Sequence, residues 1–157
     1  MRRVGIIGYG KLGRFLAEHL PEDGEHEVAF IWNRSPAALE DVDPALVLDD
    51  LRAAPERADL IVEVAHPAIT WEHGARFLRG ADLMVGSPTA LAKTGVLEDL
   101  QGRALYVPRG ALPGLEEVQR LVARGTLAEA RITMRKHPQS LKVADYTPSG
   151  GVDVVYD

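Results

Sequence analysis

The apolar stretch Val4–Ile7 runs straight into Gly8-Tyr9-Gly10-Lys11-Leu12-Gly13, a G-x-G-x-x-G spacing. From Lys11 to Leu20 apolar residues then recur at helical intervals, and a second apolar run follows at Val28–Asn33. A strand, a glycine turn, a helix and a strand in that order leave few folds open. Each glycine has its own task. Gly8 permits the sharp turn out of the strand, and Gly10, having no Cβ, lets the pyrophosphate of a dinucleotide approach the backbone. Gly13 lets the helix pack closely on the first strand. The helix start at Lys11 and Leu12 adds free N–H groups and a partial positive charge that favour phosphate.

The same alternation continues along the chain. Strands are predicted at 3–7, 28–33, 45–50 (a weaker one), 59–65, 82–87 and 104–108, with helices at 11–20, 67–79 and 90–100 and a short turn near 36–40. Leu12, Phe15, Leu16 and Leu20 fall on one face of the first helix. Continuous apolar strands separated by helices imply a parallel sheet covered on both sides. The class is α/β: a Rossmann-type doubly wound parallel sheet over residues 1–108. After Val107 the rhythm changes. The Pro- and Gly-rich "PRGALPG" (108–114) reads as a crossover, Leu115–Arg124 as an amphipathic helix, and "EARITMRK" (129–136) as a strand of another sheet. One further short strand is predicted at 152–156. Residues 109–157 are therefore expected to start a second, incomplete α+β domain.

Composition narrows the function. With 18 basic and 23 acidic residues the net charge is −5, which offers no field for a nucleic-acid backbone. The chain has no cysteine, hence no disulfide and no Cys-based metal site, as expected in a reducing compartment. The run after Met1-Arg2-Arg3 is too short for a signal peptide, and nothing approaches the length of a membrane span. A cytoplasmic protein with no metal, nucleic-acid or membrane partner is expected.

Cofactor choice is set at the end of the second strand. An NAD site usually carries a carboxylate there, about 20 residues past the glycines, to accept from the adenosine ribose. This chain has Asn33-Arg34-Ser35 instead. Asn33 can bond a ribose hydroxyl, and Arg34 and Ser35 suit a 2′-phosphate, so NADP is favoured over NAD. Ala65 and His66 end the strand "LIVEVAHP", at the edge where a doubly wound sheet holds its ligand. His66 is either a proton-transfer group or a histidine shaping the cofactor wall, the second being the commoner case. Ser87 and Thr89 either touch the nicotinamide ribose or cap the next helix. His73 reads as a surface or packing residue, and Lys136 and His137 as solvated strand ends that could meet a carboxylate substrate.

Over residues 2–142 the chain resembles the L-aspartate dehydrogenase family, through "GIIGYGKLG", "LIVEVAHP", "LMVGSPTALA", "VPRGALPGLEEV" and "ITMRKHPQSLK". The resemblance implies an NAD(P)-dependent oxidoreductase acting on a small amino-acid or dicarboxylate substrate, assembled as a homodimer, with residues 109–157 as the crossover and part of the substrate or dimerisation domain. Aspartate would pass its Cα hydride to the nicotinamide, and the resulting iminoaspartate would hydrolyse to oxaloacetate and ammonia. By that likeness Gly8, Gly10 and Gly13 form the dinucleotide loop, Asn33 and Arg34 the adenosine-ribose position, Ala65 and His66 the cofactor-facing turn, and Gly110-Ala111 the crossover. Arg109 departs from the pattern, which has a small residue before that Gly-Ala. The family's catalytic histidine lies beyond the "SLK" strand, in a segment with no counterpart in this sequence. A dinucleotide-binding module without catalysis, regulatory or partner-binding, is the alternative expectation.

Overall fold

The structure, a computed structural model, describes residues 1–92, 100, 102–108, 114–129 and 131. The chain divides into two compact units, Met1–Ala111 and Leu112–Asp157. In the first, β1 (Arg2–Ile7), α1 (Lys11–His19) and β2 (His26–Trp32) are followed by the short helix α2 (Ala54–Arg57). Then come β3 (Leu60–Glu63), α3 (Pro67–Phe77), β4 (Asp82–Val85) and β5 (Leu105–Tyr106). The five strands form one parallel sheet in the order β2-β1-β3-β4-β5. The chain winds outward to β2 on one side of β1, then crosses to β3 on the other. That reversal between β1 and β3 is where such sheets open a crevice.

Alternate residues of the strands feed two cores. Val4, Ile6, Leu60 and Val62 pack toward Leu16 and Leu20 of the α1 segment. Ile7, Phe30, Ile61, Leu83 and Val85 pack with Ala54 of α2 and Phe77 and Leu78 on the opposite side. A bulge in β2 pairs Val4 with Val28 but Gly5 with Phe30. Phe30 then fills the space above Gly5, where a Cβ would meet its ring at 2.2 Å.

Two expectations fail here. Residues 45–50 are not a strand of the sheet. Asp43 accepts from Ala45 N–H and Asp50 from Arg52 N–H, and these two capped turns leave only Val47 and Leu48 extended against Ile31. The apolar stripe of α1 is its buried face only in part, at Leu16 and Leu20. Gly13 is fixed against the end of β1, so Leu16, Ala17 and Leu20, three, four and seven residues on, turn inward. Leu12 and Phe15 are left exposed, and Phe15 stacks on His19 at 4.2 Å.

In the second unit α4 (Leu115–Ala123) begins after Gly114, whose φ of +80° suits glycine, with Glu116 and Glu117 in its first turn. The strands predicted at 129–136 and 152–156 lie outside the described residues, apart from Glu129 and Arg131. So does the helix predicted at 90–100, beyond a 3-10 turn at Pro88–Ala92 and Leu100.

At the amino edge of the sheet Asp59 takes the Arg3 side chain at 2.7 Å and its backbone N–H at 2.9 Å. The Arg3 guanidinium holds the Asp59 carboxyl below the usual range. Arg52 brings Asp50 down to about 2, and the His26 side chain lowers Asp23. A carboxylate with a depressed folded pKa contributes stability that is complete above its unfolded value and disappears as pH falls through the folded one. The midpoint of urea unfolding should therefore drop between about pH 4 and pH 2. The pairs are exposed, so the drop will be modest. Asp59→Asn should lower the midpoint at neutral pH and make its acid limb shallower; an unaltered limb would show that the Arg3 pair adds nothing.

Candidate active site

The carboxyl ends of β1, β2, β3 and β4 deliver four short loops to one edge of the sheet: 8–10, 33–35, 64–66 and 86–87. Backbone bonds extend the sheet into them, from Gly8 N–H to Trp32 O (2.8 Å), Val64 N–H to Ile7 O (2.8 Å) and Gly86 N–H to Glu63 O (2.7 Å).

The three glycines of the first loop differ in what surrounds them. Gly8 has φ +104°, and a Cβ there would lie 2.8 Å from Ala65 Cα, so the loop and the turn after β3 touch at the switch point. Gly13 is packed to the limit, since its Cβ would fall 1.9 Å from Gly8 O. Gly10 is the reverse. It has φ −81°, caps α1, is exposed, and has nothing within 4 Å of where a Cβ would sit. Packing therefore accounts for Gly8 and Gly13 but gives no reason for glycine at position 10. Open space in front of a helix start, with Lys11 and Leu12 exposed beside it, fits a diphosphate.

Asn33 ties the second loop to the first. Its Oδ1 accepts from Tyr9 N–H at 3.1 Å and its Nδ2 donates to Ser35 O at 3.1 Å, leaving one oxygen lone pair and one N–H for a ribose. Arg34 and Ser35 are exposed, and Arg34 makes no hydrogen bond or ion pair with a described residue.

His66 caps α3, and its Nδ1 accepts from Ala68 N–H at 3.1 Å. With that nitrogen engaged as an acceptor, the neutral ring carries its proton on Nε2 and offers a donor on its free side. Beneath it lies Glu63, completely buried at the end of β3. Glu63 Oε1 accepts from Ala65 N–H (2.8 Å), His66 N–H (2.7 Å) and the Ser87 hydroxyl (3.3 Å), and Oε2 accepts from Thr70 (3.2 Å). The Ser87 hydroxyl thus turns back to Glu63, where sequence suggested a ribose contact or a helix cap. Glu63 was not singled out by the sequence reading, although a carboxylate inside an apolar strand was the available signal. His73 packs against Phe77, with ring centroids 5.9 Å apart. Thr89 is exposed, while Arg109, Gly110, Ala111, Lys136 and His137 lie outside the described residues. Among the described residues no group of three or more His, Asp or Glu could hold a metal ion, and no helix is long and apolar enough to cross a membrane.

Residues 8–105 match the family described as "Homoserine dehydrogenase, NAD binding domain". The chain belongs to that family. It is 48% identical over 152 residues to an aspartate dehydrogenase domain-containing protein of Xenopus tropicalis, covering 90% of this chain and 54% of the relative. It is 29% identical over 143 residues to an L-aspartate dehydrogenase of Archaeoglobus fulgidus, covering 85% of this chain and 56% of the relative. The chain thus spans little more than half the length of these two relatives. Among solved structures, aspartate dehydrogenase from Thermotoga maritima superposes with a TM-score of 0.59 at 23% identity, over 77% of this chain and 51% of that one. That likeness speaks for the shared fold. The family resemblance read from the motifs holds, as does the parallel, doubly wound architecture.

Proposed function

We propose that this chain is the cofactor half of an NADP-preferring oxidoreductase of the aspartate dehydrogenase type. The observation that carries the reading is Gly10, which packing does not require to be glycine and which stands open at the start of α1 where the sheet reverses. The loop of Gly8, Gly10, Lys11, Leu12 and Gly13 would take the diphosphate on its N–H groups. Asn33, Arg34 and Ser35 would hold the adenosine ribose and its 2′-phosphate, and Ala65, His66 and Ser87 would line the nicotinamide side. When bound, the nicotinamide supplies the hydride acceptor. The overall change is L-aspartate, oxidised dinucleotide and water giving oxaloacetate, ammonium, reduced dinucleotide and one proton. In this assignment Glu63 orients the His66 turn, and His66 donates from Nε2 to the ligand while keeping its cap on α3. Residues 109–157 would begin the substrate and dimerisation domain of a cytoplasmic homodimer.

The test is calorimetric titration of the purified chain with NADPH and NADH, followed by aspartate-dependent formation of reduced nicotinamide. Binding with turnover supports the full reading, and binding without turnover supports a dinucleotide module lacking catalysis. Absence of binding rejects both. Arg34→Ala is expected to weaken NADPH about tenfold and NADH by about threefold or less. Equal losses would show that Arg34 does not read the 2′-phosphate.

A further inference from the structure

Arg14 follows the last glycine of the loop and leaves α1 on its exposed side. Its guanidinium carbon lies 4.5 Å over the ring of Tyr9, and its Nη2 donates to Ala38 O at 3.3 Å. Tyr9 is itself tied by its backbone to Asn33. Three contacts therefore anchor an arginine of the first helix onto the segment after β2, where this fold sets the ribose of a bound dinucleotide. The segment from Asn33 to Leu39 contains no acidic residue. Neither Arg14 nor Arg34 forms an ion pair with a described carboxylate, whereas Arg2, Arg3 and Arg52 do.

We propose that Arg14 and Arg34 together form a clamp for the phosphate monoester on the adenosine ribose, with Arg14 as a specificity-determining residue of the site. The proposal rests on the dinucleotide reading given above. The aromatic face of Tyr9 holds the guanidinium plane in place, and one of its five N–H groups is taken by Ala38 O. The remaining donors suit an oxyanion, which a planar guanidinium binds with two parallel bonds. Arg14 on α1 and Arg34 after β2 both lack a carboxylate partner among the described residues, and a phosphate dianion would give each of them one. An unphosphorylated ribose brings no charge and leaves both without one.

The experiment is titration of the full chain, unmodified and as Arg14→Ala, Arg14→Lys and Tyr9→Leu, with four probes. These are NADPH, NADH, adenosine 2′,5′-bisphosphate and adenosine 5′-monophosphate. Arg14→Ala should weaken NADPH and the bisphosphate about tenfold, the scale of one charge-assisted hydrogen bond, and NADH and the monophosphate by about threefold or less. Arg14→Lys keeps the charge but not the fork, and should recover part of the loss. Tyr9→Leu removes the platform and should weaken NADPH severalfold, which tests the clamp even if an Arg14 variant folds poorly. The salt dependence of NADPH binding should become shallower in Arg14→Ala. Equal losses for phosphorylated and unphosphorylated probes would overturn the clamp and leave Arg14 as a surface that stacks on adenine. If the unmodified chain binds neither NADPH nor NADH, the dinucleotide reading itself fails. The two failures are thus distinct.

Discussion

Gly10→Val is expected to abolish binding of NADPH and NADH while the protein stays folded. Gly10 has φ −81° and ψ −160°, a conformation open to any L-residue, and a Cβ there meets no protein atom within 4 Å. The only cost to folding is a poorer cap for α1, at most ~1 kcal/mol. The same side chain would stand where the diphosphate must approach the loop. Gly13→Ala should behave in the opposite way. Helix propensity alone would reward alanine by ~1 kcal/mol. The new Cβ, however, would fall 1.9 Å from Gly8 O, a backbone atom that cannot step aside without moving the loop. Overlap should win, with a net loss of ~3 kcal/mol or the failure to fold. Urea unfolding and NADPH titration on both variants read the two outcomes. A Gly10→Val protein that binds NADPH like the unmodified chain would end the case for the glycine loop as a site.

How far sequence alone reached depended on the range of the forces involved. β1, β2 and β3 were legible because a strand covered on both faces is a nearly unbroken apolar run, and their order along the chain fixed the crevice. The segment 45–50 has the same apolar look, but Asp43 and Asp50 each take a nearby backbone N–H, and those local bonds outcompete the sheet. The facing of α1 was misread for another reason. Periodicity puts Leu12, Phe15, Leu16 and Leu20 on one face, while the close approach of Gly13 to Gly8 sets a rotation that turns only Leu16 and Leu20 of these inward. The loops of the site could be named in advance because the fold places them. Their internal bonds could not. Arg14 meets Tyr9 and Ala38, the latter 24 positions away, and Glu63 reaches Ser87, also 24 positions away. The two long-range partners follow only from the side-by-side packing of the loops at the carboxyl edge of the sheet.

Glu63 gives the second large effect. Four donors converge on its carboxylate, from Ala65, His66, Thr70 and Ser87, and the side chain is shut away from water. Every donor that faces the buried carboxyl is thus satisfied by it. Glu63→Ala removes every acceptor at once, leaves buried N–H and O–H groups unpaired, and opens a void. The loss should be ~3 kcal/mol or more. Glu63→Gln separates charge from geometry. Its amide oxygen can keep the three bonds now made by Oε1, and its NH₂ can donate to Thr70, whose hydroxyl turns to accept. That variant should lose only ~1 kcal/mol and bind NADPH within about threefold of the unmodified chain. If Glu63 is instead only a space-filling residue, the alanine variant alone will fall, with the volume it removes, and glutamine will be indistinguishable from glutamate. Should Gln unfold the protein as thoroughly as Ala, the charge and not the hydrogen-bond geometry holds the His66 turn. The unfolding midpoints of the two variants, measured beside their NADPH affinities, decide between a latch made of directed bonds and one made of charge.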